Sequence, residues 1–373
     1  MAAGPRVAVI GAGVIGTAVA AGLASRDAAV TIFEADAPGT GTSGLSFAWV
    51  NSNSKHPDGY HALNVAGMAA HHRLLARGGD AFVPNGRLEF ATESAHAEEL
   101  DARIRRHAAW GYPSEWISTA RARELEPTIA IPAEVGAVAW FPAEGHCWPD
   151  RLIRAQLATA TAGGARLRTG ERVSAVDGRR VRLASGLEEF DVVAVCAGRW
   201  TGDLVGPSVP MIIPAAGNAA VGYLAETGPL ARRPTRVITT SAISLRPAKG
   251  NGLLLQALDL DGSADPGQPA ADGIRRELAR RLTALIPGSE PEITVRVGQR
   301  SLPADGLPVA GFADRGLYLL ATHSGITLGP SLGELAAREI LGETMPDLEP
   351  YRPDRFGDGR GRAATAPRRP GSQ

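Results

Sequence analysis

The stretch GAGVIG, residues 11–16, constrains this chain most, because it stands between a short apolar run, RVAVI (6–10), and a helix-compatible segment at 13–25. In a strand–turn–helix of this kind Gly11 permits the tight turn, Gly13 lets the backbone approach a pyrophosphate, and Gly16 lets helix and strand pack closely. The first turn of the helix then offers N–H groups and a partial positive charge to phosphates. A second β-branched run, AVTIFEA (29–35), ends at Glu34, where a carboxylate accepts hydrogen bonds from a ribose diol. Together these predict a βαβ unit with a parallel sheet, built to bind a dinucleotide.

At 373 residues and 44% hydrophobic content, the chain has room for two domains. HCWPDRLIRAQLATATAGGARLRTGERVSAVDG (146–178) reads as helix, turn and strand, and FDVVAVCAG (190–198) is a fully apolar strand ending at Gly198. Both extend the parallel sheet. Residues 87–140 carry two charged helical stretches, and 210–298 carry β-rich runs such as NAAVGYLAE, RVITT, ISLRP and GLLLQAL. The expected fold class is therefore α/β: a Rossmann-like dinucleotide-binding domain (1–86, 141–209 and 299–351) interleaved with a mainly antiparallel β-sheet substrate domain (87–140 and 210–298). The Gly-, Pro- and Arg-rich segment 352–373 is predicted to be a disordered tail.

Basic and acidic residues number 39 each, and no basic stripe appears, which removes the electrostatic case for nucleic acid or an anionic membrane and favours a small-molecule substrate. Only Lys55 and Lys249 are lysines, and this skew, with abundant Ala, Gly and Pro, points to a bacterial source of high GC content. Cys147 and Cys196 make neither a metal spacing nor a disulfide framework, and the histidines show no ligand spacing, so no metal is expected. No apolar run reaches the roughly 18 residues of a membrane span, and a cytoplasmic protein is expected. The oligomeric state is left open.

The glycine motif does not choose between NAD and FAD. A second device near the end of the chain, LLATHSGITLGPSLGELAAREI (319–340), does: an apolar strand, a small-residue loop with His323, and a helix. FAD is long, and its isoalloxazine ring must be gripped far from the adenine. A helix predicted to begin near Pro330 directs its N-terminal dipole at the flavin pyrimidine edge, where negative charge accumulates on reduction.

VAVIGAGVIGTAVA with Glu34, DVVAVCAGRWT, GQRSLPADGLPVAG and ATHSGITLGPSLGELAAREI occur in that order over roughly residues 5–345, and this arrangement resembles the D-amino-acid oxidase, glycine oxidase and sarcosine oxidase superfamily of FAD enzymes. The resemblance implies a glutathione-reductase-type FAD domain and places the last motif, Ser324, Gly325, Ile326 and Thr327, beside the flavin ring. It makes GTGTSGLSFAWVNSNSK (39–55) the loop along the cofactor, with Thr42 and Ser43 at the pyrophosphate and Ser46 and Asn51 at the flavin edge. Val173 corresponds to the position whose backbone meets the adenine, and Gly198 closes the strand beside the cofactor.

The resemblance also implies oxidation of a C–N bond by hydride transfer to flavin N5, giving an imine from an amino acid or N-substituted glycine. Arg300, in GQRSLPADG, matches the family's arginine that grips the substrate carboxylate, although here Arg-Ser-Leu-Pro replaces the usual Arg-Pro. His323 is a candidate to hydrogen-bond substrate or tune the flavin, and Tyr223 and Gln256 are candidates for the pocket wall. No Cys lies in the usual attachment context, so FAD is expected to be non-covalent, with His56 or His61 as the alternative link. Lys249 and Lys55 read as surface residues, and without a lysine at the family's activating position a slow reaction with oxygen is expected. Two other readings remain: an FAD-dependent 2-hydroxy-acid dehydrogenase, and a non-catalytic flavoprotein subunit of a hetero-oligomer.

Overall fold

The computed structural model describes residues 4–206 and 209–357. A six-stranded sheet runs in the spatial order Val309–Asp314, Leu317–Ala321, Val192–Val195, Arg6–Ile10, Ala29–Glu34, Arg166–Thr169. Neighbours are parallel except the Val309–Asp314 edge strand, which is antiparallel to Leu317–Ala321. Val7, Ala8, Val9, Ile32 and Val193 to Val195 are wholly buried, which is why these strands read as continuous apolar runs rather than alternating ones. The chain places later strands on both sides of Arg6–Ile10, so a crevice opens at the carboxyl ends of the central strands, where ligands of such sheets bind.

The Val14–Ala24 helix packs against the Gly325–Ile340 helix through small residues. An added Cβ at Gly22 would meet Ala337, and one at Gly333 would meet Ala18. The C-terminal helix begins at Gly325, five residues before the expected start, and Pro330 lies inside it. Proline has no N–H for the carbonyl four residues back. That carbonyl, of Ile326, instead accepts a 2.8 Å hydrogen bond from His71 Nε2. His71 lies on the Asp58–Ala76 helix, whose Gly67 passes so close to this point that a Cβ would sit 2.6 Å from the carbonyl oxygen of Thr327.

The second sheet has eight strands in the order Ile293–Gln299, Val221–Thr227, Leu253–Gln256, Ser244–Pro247, Val237–Thr239, Arg87–Glu89, Ala137–Phe141, Glu115–Ser118. Only the Arg87–Glu89 and Val237–Thr239 pair is parallel. The Asp272–Leu285 helix, absent from the sequence reading of this β-rich region, buries Leu278, Leu282 and Leu285 against a core that includes Ile238, Leu245, Leu253 and Leu255. Residues 352–357 depart from the expected tail: a 3-10 turn at Pro353–Phe356 is pinned by Arg352 to Glu339 (2.5 Å) and Arg355 to Asp305 (2.8 Å). The remainder of that segment lies outside the described residues. Among the described residues no helix is long and apolar enough to cross a membrane.

Candidate active site

A cavity of about 610 Å³ opens at the carboxyl ends of the central strands, within the size range of cofactor sites. Gly11, Gly13, Glu34, Thr42, Ser43, Ser46, Val173, Gly198, His323, Gly325 and Ile326 all line it. Gly11 has φ +101°, and a Cβ there would lie 2.7 Å from the carbonyl oxygen of Cys196, so only glycine fits the turn. Gly16 does not line the cavity; a Cβ on it would collide with the carbonyl of Gly11, which is the close helix–strand packing read from the motif.

Ser43 Oγ accepts the N–H of Val14 at 3.1 Å, at the head of the first helix, and retains its own O–H to donate. Glu34 is held in place by the N–H of Ala12 on Oε2 (2.8 Å) and that of Asp36 on Oε1 (2.9 Å). Each oxygen keeps a further acceptor position for a diol. The starts of two helices, at Val14 and Gly325, and the glycine cradle thus meet in one space, and these residues fit an FAD molecule. Arg199 and Trp200, which the sequence reading passed over, also line it, with the guanidinium 3.7 Å from the Trp200 ring centroid.

A second cavity, of about 120 Å³, shares Thr42, Leu45, Ser46, Gln299, His323 and Ile326 with the first. Asn51, Lys55, Arg300, Ser324 and Thr327 line this smaller space, as do Tyr223 and Gln256 from the eight-stranded sheet. Thr42 Oγ1 donates to the Gln299 carbonyl (2.8 Å), joining the cofactor-side loop to the last strand of that sheet. Ser324 Oγ shares a 2.7 Å hydrogen bond with the Tyr60 hydroxyl, and Asn51 N–H reaches Thr327 Oγ1 at 3.4 Å.

The 49–55 loop is fixed from behind by a buried polar network. Glu144 accepts Trp49 Nε1 (2.8 Å), Asn53 Nδ2 (2.9 Å) and the Tyr112 hydroxyl (2.7 Å), while Arg103 Nη1 donates to Asn53 Oδ1 (2.5 Å). The Arg87 guanidinium stacks 4.2 Å from the Trp49 ring and pairs with Glu89. Burial pushes the Glu144 carboxyl above the usual range, against the pull of Arg87. Burial would likewise raise Glu89, but Arg103, Arg87 and His96 reverse this and hold it low. A network satisfied at so many points makes the loop a rigid wall.

Two expectations change. Arg300, expected to grip a carboxylate, is already engaged: Nη2 pairs with Asp261 Oδ2 at 2.6 Å, and Nη1 donates to the carbonyls of Ala219 (3.1 Å) and Val221. The pair lies over Gly222, where any Cβ would strike both partners. Lys55, read as a surface residue, is only 7% exposed and lines the smaller cavity. His56 is exposed and His61 is bonded to Ser52, and neither lines either cavity.

The family described as FAD dependent oxidoreductase (DAO) matches residues 6–339. A glycine oxidase of Geobacillus kaustophilus (strain HTA426) is 29% identical over 370 residues, covering 92% of this chain and 95% of that one. A crystal structure of glycine oxidase from Geobacillus kaustophilus superposes with a TM-score of 0.80 at 24% identity, over 93% and 98% of the two chains. L-proline dehydrogenase from P. horikoshii gives 0.82 at 20% identity over 96% and 99%. Iminodiacetate oxidase from Chelativorans sp. BNC1 gives 0.76 at 24% identity over 93% and 99%. These structures share the fold described above.

Proposed function

Because this chain belongs to the DAO family of FAD-dependent oxidoreductases, we propose that it oxidises the C–N bond of a small carboxylate-bearing amine, an amino acid or N-substituted glycine, with FAD held non-covalently in the larger cavity. When bound, FAD supplies the two-electron acceptor, its N5 taking hydride from the carbon beside the nitrogen to leave an imine. The observation that carries this reading is the small cavity sharing a wall with the large one, so that a substrate of few atoms sits against one end of a long cofactor. Three similar proteins named for glycine, L-proline and iminodiacetate support an amine that carries a carboxylate.

In this reading Gly11, Gly13 and Ser43 face the pyrophosphate, Glu34 the ribose, Val173 the adenine and Gly325 to Thr327 the flavin ring. Hydride transfer needs a neutral amine, correct orientation and a dry site more than a strong base. Leu45, Phe47, Trp49, Leu224 and Ile326 supply the apolar part of the smaller cavity's wall. His323, at the junction, hydrogen-bonds the substrate nitrogen.

The test is anaerobic bleaching of the flavin absorption bands with α-amino acids, N-methyl and N-carboxymethyl glycines, and 2-hydroxy acids. Bleaching by one or more small amines is expected. Bleaching by 2-hydroxy acids alone, or by nothing unless a partner chain is added, would overturn the reading.

A further inference from the structure

Two arginines and no lysine line the larger cavity. Arg172 is mostly exposed and faces Asp36 at 3.8 Å. Arg199 is half-buried, and among the described residues it has neither a carboxylate at ion-pair distance nor a hydrogen-bond acceptor. Burial draws its pKa below the usual guanidinium value, and no neighbouring charge offsets this. What holds the side chain is Trp200: Cζ of Arg199 lies 3.7 Å from the ring centroid, a stack that leaves the N–H groups able to donate. Trp200 packs in turn on the cofactor-side loop, where a Cβ added to Gly41 would lie 3.5 Å from its ring. Ala197, two residues before Arg199, abuts the glycine turn, its Cα 3.4 Å from the place of a Gly11 Cβ. Arg199 is thus bracketed by the glycine turn and by the loop that carries Thr42 and Ser43. A diphosphate brings two negative charges, and the helix start at Val14 offsets about half of one. Carboxylates outnumber arginines around this cavity, four to two, so a dianion entering it depends on where the unpaired cation stands.

We propose that Arg199 is a ligand of the FAD diphosphate, an assignment that rests on reading the larger cavity as the FAD site. The planar guanidinium donates two parallel N–H groups to phosphate oxygens, and the diphosphate is the counter-charge that no carboxylate of the chain provides. Trp200 fixes the guanidinium in place, so little side-chain freedom is lost on binding. Arg199 therefore sets how tightly the cofactor is retained and takes no part in the two-electron step.

The experiment follows release of FAD on dilution of the holoenzyme, read by recovery of flavin fluorescence, and displacement of the flavin by ADP or by adenosine, which lacks the diphosphate. Wild type, Arg199→Met, Arg199→Gln and Arg199→Lys are compared, with circular dichroism as the check on folding. At about 20 mM salt Arg199→Met is expected to weaken FAD and ADP about 30-fold and to move adenosine less than twofold. At about 0.5 M salt the difference from wild type should narrow, because the lost interaction is between charges. Arg199→Lys should recover part, as a point charge replaces the two-pronged group. FAD affinity of Arg199→Met within about twofold of wild type, or equal losses of ADP and adenosine, would overturn the assignment. If Arg199→Met does not fold, Arg199→Gln is judged by the same two criteria. If wild type holds no flavin, calorimetry with ADP and adenosine separates the two readings. ADP binding that Arg199→Gln weakens, with adenosine binding unchanged, leaves Arg199 a diphosphate ligand and removes FAD; absence of ADP binding removes both.

Discussion

His71 Nε2 donates to the carbonyl of Ile326 at 2.8 Å, the one acceptor in the helix that Pro330 cannot serve. Two elements distant in sequence are joined by one hydrogen bond, and its absence leaves a buried carbonyl bare. His71→Leu is expected to destabilise the protein by about 2 kcal/mol. Adding Pro330→Ala restores an N–H to the helix and should recover part of that loss. Chemical denaturation of the four proteins in the cycle checks this, and strict additivity would show that the two positions are not coupled.

The same bond makes Nε2 the donor and leaves His71 Nδ1 buried without a partner. Protonating it would bury a charge, and burial lowers its pKa to about 4. His107 is lowered to about 4 and His146 to about 3, in both cases first by burial and then by nearby arginines. The unfolded chain binds these protons near pH 6.5 and the folded chain does not, so the stability from these groups is complete above about pH 6.5 and lost as pH falls toward 4. Thermal unfolding should show a nearly flat melting temperature from pH 8 to 7 and a steep fall from pH 6.5 to 4.5. His146→Phe should make that fall shallower.

Asp261 anchors more than Arg300, since its Oδ1 also accepts the N–H of Tyr223 at 2.8 Å. Asp261→Ala leaves a largely buried guanidinium uncompensated, a loss of about 3 kcal/mol. Gly222→Ala should be comparably harmful, because its methyl group must enter the ion pair. Melting temperatures of both variants test this. A Gly222→Ala protein as stable as wild type would mean that the pair can swing aside.

A Cβ on Gly13 would touch Ser43 Oγ at 3.2 Å, so Gly13→Val fills the space where a phosphate would lie. Loss of FAD with the fold retained is expected, read by flavin absorption together with circular dichroism. Ser43→Ala removes one oriented hydroxyl donor and should weaken FAD by about tenfold. Acid precipitation of wild type should release all of the flavin into the supernatant.

Local signals in this sequence were informative where local geometry decides the outcome. Gly11 is required by a positive φ and Gly16 by its contact with Gly11, and both demands are visible in a motif flanked by a strand and a helix. Long-range pairing was not legible. Lys55 sits among polar residues and reads as exposed, yet it is nearly buried and lines the smaller cavity together with residues some 170 to 270 positions later. Asp261 gives no local sign that it will neutralise Arg300. Pro330 read as a helix start because proline is common there, and the carbonyl its interior position leaves unserved is met by a histidine on another helix. The Asp58–Ala76 helix did carry a signal: Tyr60, Leu63, Asn64, Gly67, Met68 and His71 recur at spacings of three and four.

The strand order of the six-stranded sheet decides when during synthesis this protein can first retain its cofactor. Arg6–Ile10 leaves the ribosome about 185 residues before its partner Val192–Val195, and more than 300 before Leu317–Ala321, which pairs with that strand in turn. Until then the nascent chain carries Val7 and Val9 on an unfinished apolar edge, open to pairing with other chains. A chain ended at residue 300 should therefore retain no FAD, although it contains the whole glycine motif. Flavin can stabilise only chains in which the Leu317–Ala321 strand has paired, because a ligand that binds the folded state draws on that state alone.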